Sequence, residues 1–116
     1  MLHVREQFPN FDNYKSFDSI FNALKNHGFK DSSWHNDAMP SMTFEYGNNF
    51  ELIIWVDFKD PEKSDFFDLR RDGVFKEFFF GERNSETYEY LEEYHYDDLT
   101  KLIEDVKKVL EISEDC

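Results

Sequence analysis

Trp34-His35-Asn36-Asp37 sets an indole, an imidazole, an amide and a carboxylate in consecutive positions within SSWHNDAMPS, Ser32 to Ser41. A histidine two residues from a carboxylate could serve as a general base with an orienting acid, and Ser32, Ser33 and Ser41 stand close by in the chain. Such a base needs a nucleophile or a water within about 3 Å in a pocket. Triads usually draw their members from separate loops. A simpler expectation uses the same side chains for the backbone. Asn36 and Asp37 accept bonds from nearby N–H groups in an Asx-type turn, Trp34 plugs the edge of the core, and Pro40 keeps Met39 extended as a strand begins. Trp34, His35, Asn36, Asp37 and Pro40 are therefore read as a structural loop, and no catalytic residue is assigned. A small hydrolase working through His35 and Asp37 is the enzymatic alternative.

Other chemistries find less support. His27, His35, His95 and the many carboxylates match neither H-E-x-x-H nor a C-x-x-C pair, and a D-x-D-x-D-G calcium loop is missing, so no metal is expected. Gly47, Gly73 and Gly81 are isolated and form no phosphate-cradling loop, and no cofactor is expected either. Cys116 is the sole cysteine and follows Glu114-Asp115, whose charge raises a thiol pKa. One cysteine makes no intrachain disulfide, and a reducing cytoplasm is the natural reading. The N-terminus carries no apolar signal region, and the longest uncharged apolar run is LIIWV, Leu52 to Val56, far short of a membrane span.

The second constellation is YEYLEEYHYDD, where Tyr88, Tyr90, Tyr94 and Tyr96 interleave with Glu89, Glu92, Glu93, Asp97 and Asp98. Tyrosine buries a large area at little cost in side-chain entropy while its hydroxyl still finds a partner. Carboxylates between such rings pair with Arg and Lys of a basic partner, which speeds association and rejects wrong partners. These nine residues are the expected partner-binding surface. The plainer alternative is a half-buried strand with a solvated acidic face.

Charge points the same way. Against 13 basic residues stand 26 acidic ones, a net charge of −13, and from Glu82 to Asp115 twelve acids face four bases. A field of that sign repels nucleic acid and anionic membranes and steers cationic proteins inward. Direct binding of nucleic acid or membrane is therefore not expected. Solubility alone also accounts for such a surplus.

These residues need a scaffold, and 116 residues suffice for one domain, 1–116, that buries roughly two thirds of the surface its unfolded chain exposes. Fourteen Phe, six Tyr and two Trp supply its core. Phe17, Ile20, Phe21 and Leu24 fall at helical spacing and predict a helix over 16–27, capped by Ser16 and stopped by Gly28. The period then changes to two. Strands are expected at 41–47 and 50–58 about a Gly47-Asn48-Asn49 turn, with LIIWV central in the sheet. Asp72-Gly73 predicts a hairpin joining strands 66–71 and 74–81. TYEYLEEYHY, Thr87 to Tyr96, reads as a further strand at its beginning, 87–92, with a helix start as the alternative, and its four tyrosines share one side if the whole stretch is extended. Leu99, Leu102, Ile103, Val106 and Leu110 mark an amphipathic helix over 97–111, capped by Asp97. The expected class is α+β: a mostly antiparallel sheet of four or five strands, packed by an N-terminal and a C-terminal helix.

The order helix, GFKDSSWHNDAMPS, paired strands with LIIWVDF, hairpin and final helix resembles small acidic bacterial immunity proteins of contact-dependent inhibition and other polymorphic toxin systems. The resemblance spans roughly residues 17–110 and rests on the aromatic-His-Asn-Asp loop followed by Pro-Ser. Met39 departs from it, standing where a small residue or Cys precedes the proline. It carries over no binding residues, and it implies a role: cytoplasmic neutralisation of one cognate toxin domain, often a nuclease. The expectation is thus a non-enzymatic inhibitor whose partner is a basic toxin nuclease. A phage-type DNA mimic that inhibits a CRISPR or restriction complex is the alternative binder.

Overall fold

The structure, a computed structural model, describes residues 3–114. Cys116 lies outside them. The elements run α1 (His3–Gln7), α2 (Tyr14–Leu24), β1 (Lys30–Asp31), β2 (Ser41–Tyr46), β3 (Phe50–Val56), α3 (Phe67–Arg71), β4 (Phe78–Asn84), β5 (Tyr90–Tyr96) and α4 (Leu99–Glu114). The five strands pair in chain order, each antiparallel to the next. The class is α+β.

Strand parity decides what each face of this sheet does. Leu52, Ile54 and Val56 of β3 stand opposite Glu82, Phe80 and Phe78 of β4. With Met42 they meet Phe17, Ile20 and Leu24 of α2 and Leu102, Val106 and Leu110 of α4. The two helices therefore share one face, and Val4, Phe8 and Phe11 close its margin. Each such side chain contributes about 1.5–3 kcal/mol on burial. The other parity, Glu51, Ile53 and Trp55 against Arg83, Gly81 and Phe79, faces away from the helices. Ile53 and Glu51 are buried all the same, because loops cover that side in part.

Helix boundaries shift for identifiable reasons. Asn13, not Ser16, precedes α2, and its buried amide donates to the Asp57 carbonyl (3.2 Å) and the Glu77 carboxylate (2.9 Å). A short 3-10 turn, Lys25–His27, extends the helix to Gly28, whose φ of 104° ends it as expected. Asp98, rather than Asp97, caps α4 by accepting the Thr100 N–H at 2.9 Å.

The hairpin expected about Asp72-Gly73 does not form, and residues 66–71 are not a strand. Phe67–Arg71 is helical, and Gly73, at φ 77°, lies just past its end. The Gly73 N–H bonds to the Arg70 carbonyl and the Val74 N–H to the Leu69 carbonyl, the paired bonds of a Schellman motif. Both motifs call for positive φ at the glycine. Residues 74–77 are irregular, so the strand expected at 74–81 is instead β4, beginning at Phe78. The strand expected at 87–92 lies later, at Tyr90–Tyr96.

Candidate functional site

Two adjoining surfaces carry the polar and aromatic side chains outside the core: the outer strand β5, and the sheet face turned away from the helices.

Along β5, Tyr96, Tyr94 and Glu92 stand opposite Phe78, Phe80 and Glu82, on the helix side. His95 and Glu93 stand opposite Phe79 and Gly81, on the other side. Strict alternation would then put Tyr90 on the helix side. The register instead slips between Glu82 and Arg83, leaving Leu91 as an extra residue and pairing Tyr90 with Arg83. The four tyrosines consequently do not share one side. Tyr96 donates to Asp105 (2.8 Å) and Tyr94 to Glu92, while Tyr90 accepts the Trp55 indole N–H (2.9 Å). Tyr88 sits in the turn before the strand, at φ 63°. Its turn is held by Asn84, whose side chain accepts from the Glu86 and Thr87 N–H groups. Glu89, Glu92, Glu93, Asp97 and Asp98 are all exposed, and among the described residues β5 has a neighbour only on its β4 edge.

The open face is built around Arg83. Its Nε donates to Glu51 at 2.7 Å, with both side chains nearly excluded from water. The guanidinium carbon lies 4.7 Å from the Tyr88 ring centre, 5.8 Å from Tyr90 and 5.9 Å from Trp55. Three rings and one carboxylate therefore hold this cation, each ring adding about 0.5–2 kcal/mol according to its desolvation. The sequence reading missed this group, although a charged residue in a central strand that is apolar on both faces signals a need for a counter-charge. Glu51 in FELIIWV is such a residue.

On one side of this cage, a cleft of about 480 Å³ is lined by Ser32, Trp34, Thr43 and Tyr88 among others. On the other, a more apolar cleft of about 290 Å³ lies among Met39, Phe66, Phe75, Phe79 and His95. Trp55 and Asp37 line both. His95 stacks on Phe75 and meets Phe79 edge-on, each at 4.9 Å between centroids, and burial lowers its pKa. Burial raises the Asp37 carboxyl, against the opposing pull of Arg83. The cleft's far wall rests on Asp57, which accepts from the Ser64 hydroxyl (2.6 Å), the Phe58 N–H (2.8 Å) and Arg70 (3.3 Å).

The loop from Ser32 to Ser41 departs from expectation. Trp34 is 49% exposed and plugs no core edge. Among the described residues, no hydrogen bond is made by the side chains of Asn36 and Asp37 to the loop backbone. The Asp31 carboxylate does that work instead, accepting the Val4 N–H (2.8 Å) and the Ser33 N–H (3.0 Å). Ser32 bonds to Thr43 and Ser33 to the Ser41 backbone. Pro40 is buried, and its carbonyl accepts the Val56 N–H. His35 bonds through Nδ1 to Gln7 (2.7 Å) and lies against Trp34. Its Nδ1 is thus committed to an amide rather than to Asp37.

Among the described residues, no three or more His, Cys, Asp or Glu side chains gather as a metal-binding group, and no helix is long and apolar enough to cross a membrane. This arrangement can bind: it offers rings, carboxylates and an unpaired strand edge. Comparisons with protein-family models, with curated proteins and with solved structures find no match to this chain.

Proposed function

We propose that this chain is a non-enzymatic inhibitor of the immunity-protein kind, acting in the cytoplasm by binding and neutralising a cognate basic toxin domain, a nuclease by preference. The observation that carries the reading is β5: an outer strand whose residues Tyr90 to Tyr94 are all exposed and whose unpaired edge is flanked by Glu89, Glu92 and Glu93. A strand edge offers backbone hydrogen bonds to an extended segment of a partner. Carboxylates beside it select a cationic segment and repel a second copy of the same acidic strand. A nuclease holds a polyanion, so its cleft is basic and suits this surface. Glu92 and Glu93 point to opposite sides of the sheet, which favours a strand-edge contact over a single phosphate-like stripe of carboxylates and so favours a toxin partner over DNA mimicry.

Mixing the protein with the toxin domain encoded beside it is the direct test. The expected result is a one-to-one complex that weakens steeply between low and physiological ionic strength and blocks toxin activity. Replacing Glu89, Glu92 and Glu93 together with Gln should slow association. Failure of the pair to bind even at low ionic strength overturns the reading.

A further inference from the structure

We infer that the cleft between Trp55, Tyr90 and Phe75 is a receptor for one arginine side chain of the protein partner, with Asp37 and Glu93 as its counter-ions. The inference rests on the inhibitor reading for the identity of the partner, and on the open face for everything else.

The face already displays the chemistry it would repeat. Arg83 shows that Trp55 and Tyr90 accept a guanidinium within 6 Å of their ring centres. The same two residues also line the smaller cleft, together with Phe66, Phe75 and Phe79. At about 290 Å³ that cleft lies at the lower limit of small-molecule pockets, and so suits one inserted side chain of the hot-spot kind.

Charge selects which side chain. Asp57 and Glu77, which line the cleft, are both engaged by Arg70 (3.3 and 3.8 Å). Lys76, the one basic residue lining it, lies 4.0 Å from Asp97. His95 is held towards its neutral form by burial and so adds little opposing charge at neutral pH. That leaves Asp37 and Glu93, neither of which has an ion-pair partner among the described residues. Aromatic walls with two carboxylates outside any ion pair, Asp37 feeling Arg83 only at longer range, favour a cation, and arginine over lysine, because the planar guanidinium stacks on rings, bonds carboxylates in a fork and gives up hydration more readily.

The test uses the intact protein and the peptide acetyl-Gly-Arg-Gly-amide, followed through the Trp55 indole N–H signal by two-dimensional NMR, with Trp34→Phe to assign the two indoles. A saturable shift in the millimolar range is expected, and the citrulline peptide, of the same shape without the charge, should bind about tenfold more weakly. Asp37→Asn should weaken the arginine peptide several-fold, whereas Glu104→Gln, at an exposed position on α4 behind the sheet, should leave its affinity unchanged. No Trp55 shift, equal shifts from both peptides, or equal weakening by Asp37→Asn and Glu104→Gln overturns the inference. The wild-type comparison of peptides stands even if a variant folds poorly. A toxin complex formed by a protein that ignores the arginine peptide removes the cleft assignment alone. Arginine-selective binding without any toxin complex removes the toxin reading alone.

Discussion

Arg70 of α3 reaches back to Asp57, just past the end of β3, with Nη1 3.3 Å from the carboxylate and side chains only 9% and 3% exposed. The same nitrogen donates to the Phe58 carbonyl, and the second lies 3.8 Å from Glu77. One guanidinium thus ties the short helix to the strand and walls off the cleft. Removing one partner of such a pair leaves an uncompensated buried charge, and Arg70→Ala is expected to cost about 3–5 kcal/mol in urea unfolding at pH 7. Burial already raises the Asp57 carboxyl, and losing Arg70 raises it further. A group with a raised folded pKa contributes stability that is present at low pH and lost as pH rises through that pKa. The deficit of the variant should therefore shrink on acidification through the upper carboxylate range, and a deficit independent of pH would contradict the assignment.

His95 gives the opposite pH sign. Burial between Phe75 and Phe79 lowers its pKa, so the unfolded chain binds its proton more readily than the folded one. Stability from this residue is present above about pH 6.5, the ordinary histidine value, and is lost as pH falls through that value towards the folded pKa. Relative to His95→Phe, the wild type should lose stability on going from pH 8 to pH 5.5. Parallel curves for the two proteins would show that the imidazole titrates freely.

Substitutions in the loop should separate from those in the core. Trp34→Ala removes a half-exposed ring and is expected to change stability by less than about 1 kcal/mol, while Ile54→Ala on the helix face should cost about 2–5 kcal/mol. Asp37→Asn should stabilise the protein at neutral pH, because burial disfavours its charged form and, among the described residues, no hydrogen bond answers it. Thermal melts of the three variants decide this. A large loss from Trp34→Ala would mean that the indole is packed after all.

Periodicity made much of this fold legible. Phe17, Ile20 and Leu24 announced α2, the alternation from Met42 to Tyr46 announced β2, and Leu102, Val106 and Leu110 announced α4, because each pattern reports a face that must be buried. Asp72-Gly73 misled because its positive φ serves a hairpin and a helix end alike, and the bond that decides between them, Arg70 to Asp57, spans 13 residues. The tyrosine stretch was legible as a surface but not as two, since nothing in the residue types announces the extra residue at Leu91. The Arg83 cage draws on Glu51 and Trp55, far off in the chain, and forms only when the register of β3 and β4 is set. Asp31 and Ser33 hold the loop with side chains common to any turn, whereas the conspicuous Trp34 and Asn36 do not.

Gly81 is required by space rather than by backbone conformation. A Cβ there would stand 2.8 Å from the Tyr90 ring and 2.9 Å from Phe79. Tyr90 therefore lies over the glycine, and from that position its hydroxyl accepts the Trp55 indole N–H at 2.9 Å. The register slip at Leu91 and the missing side chain at Gly81 act together: one brings Tyr90 to the open face, the other leaves space for its ring. Gly81→Ala should push the ring off, lengthen the bond to Trp55 and cost about 1–3 kcal/mol through overpacking. The Trp55 indole signal should move, while that of Trp34 stays in place. An alanine variant with wild-type stability and an unmoved Trp55 signal would mean that Tyr90 does not occupy the space above residue 81.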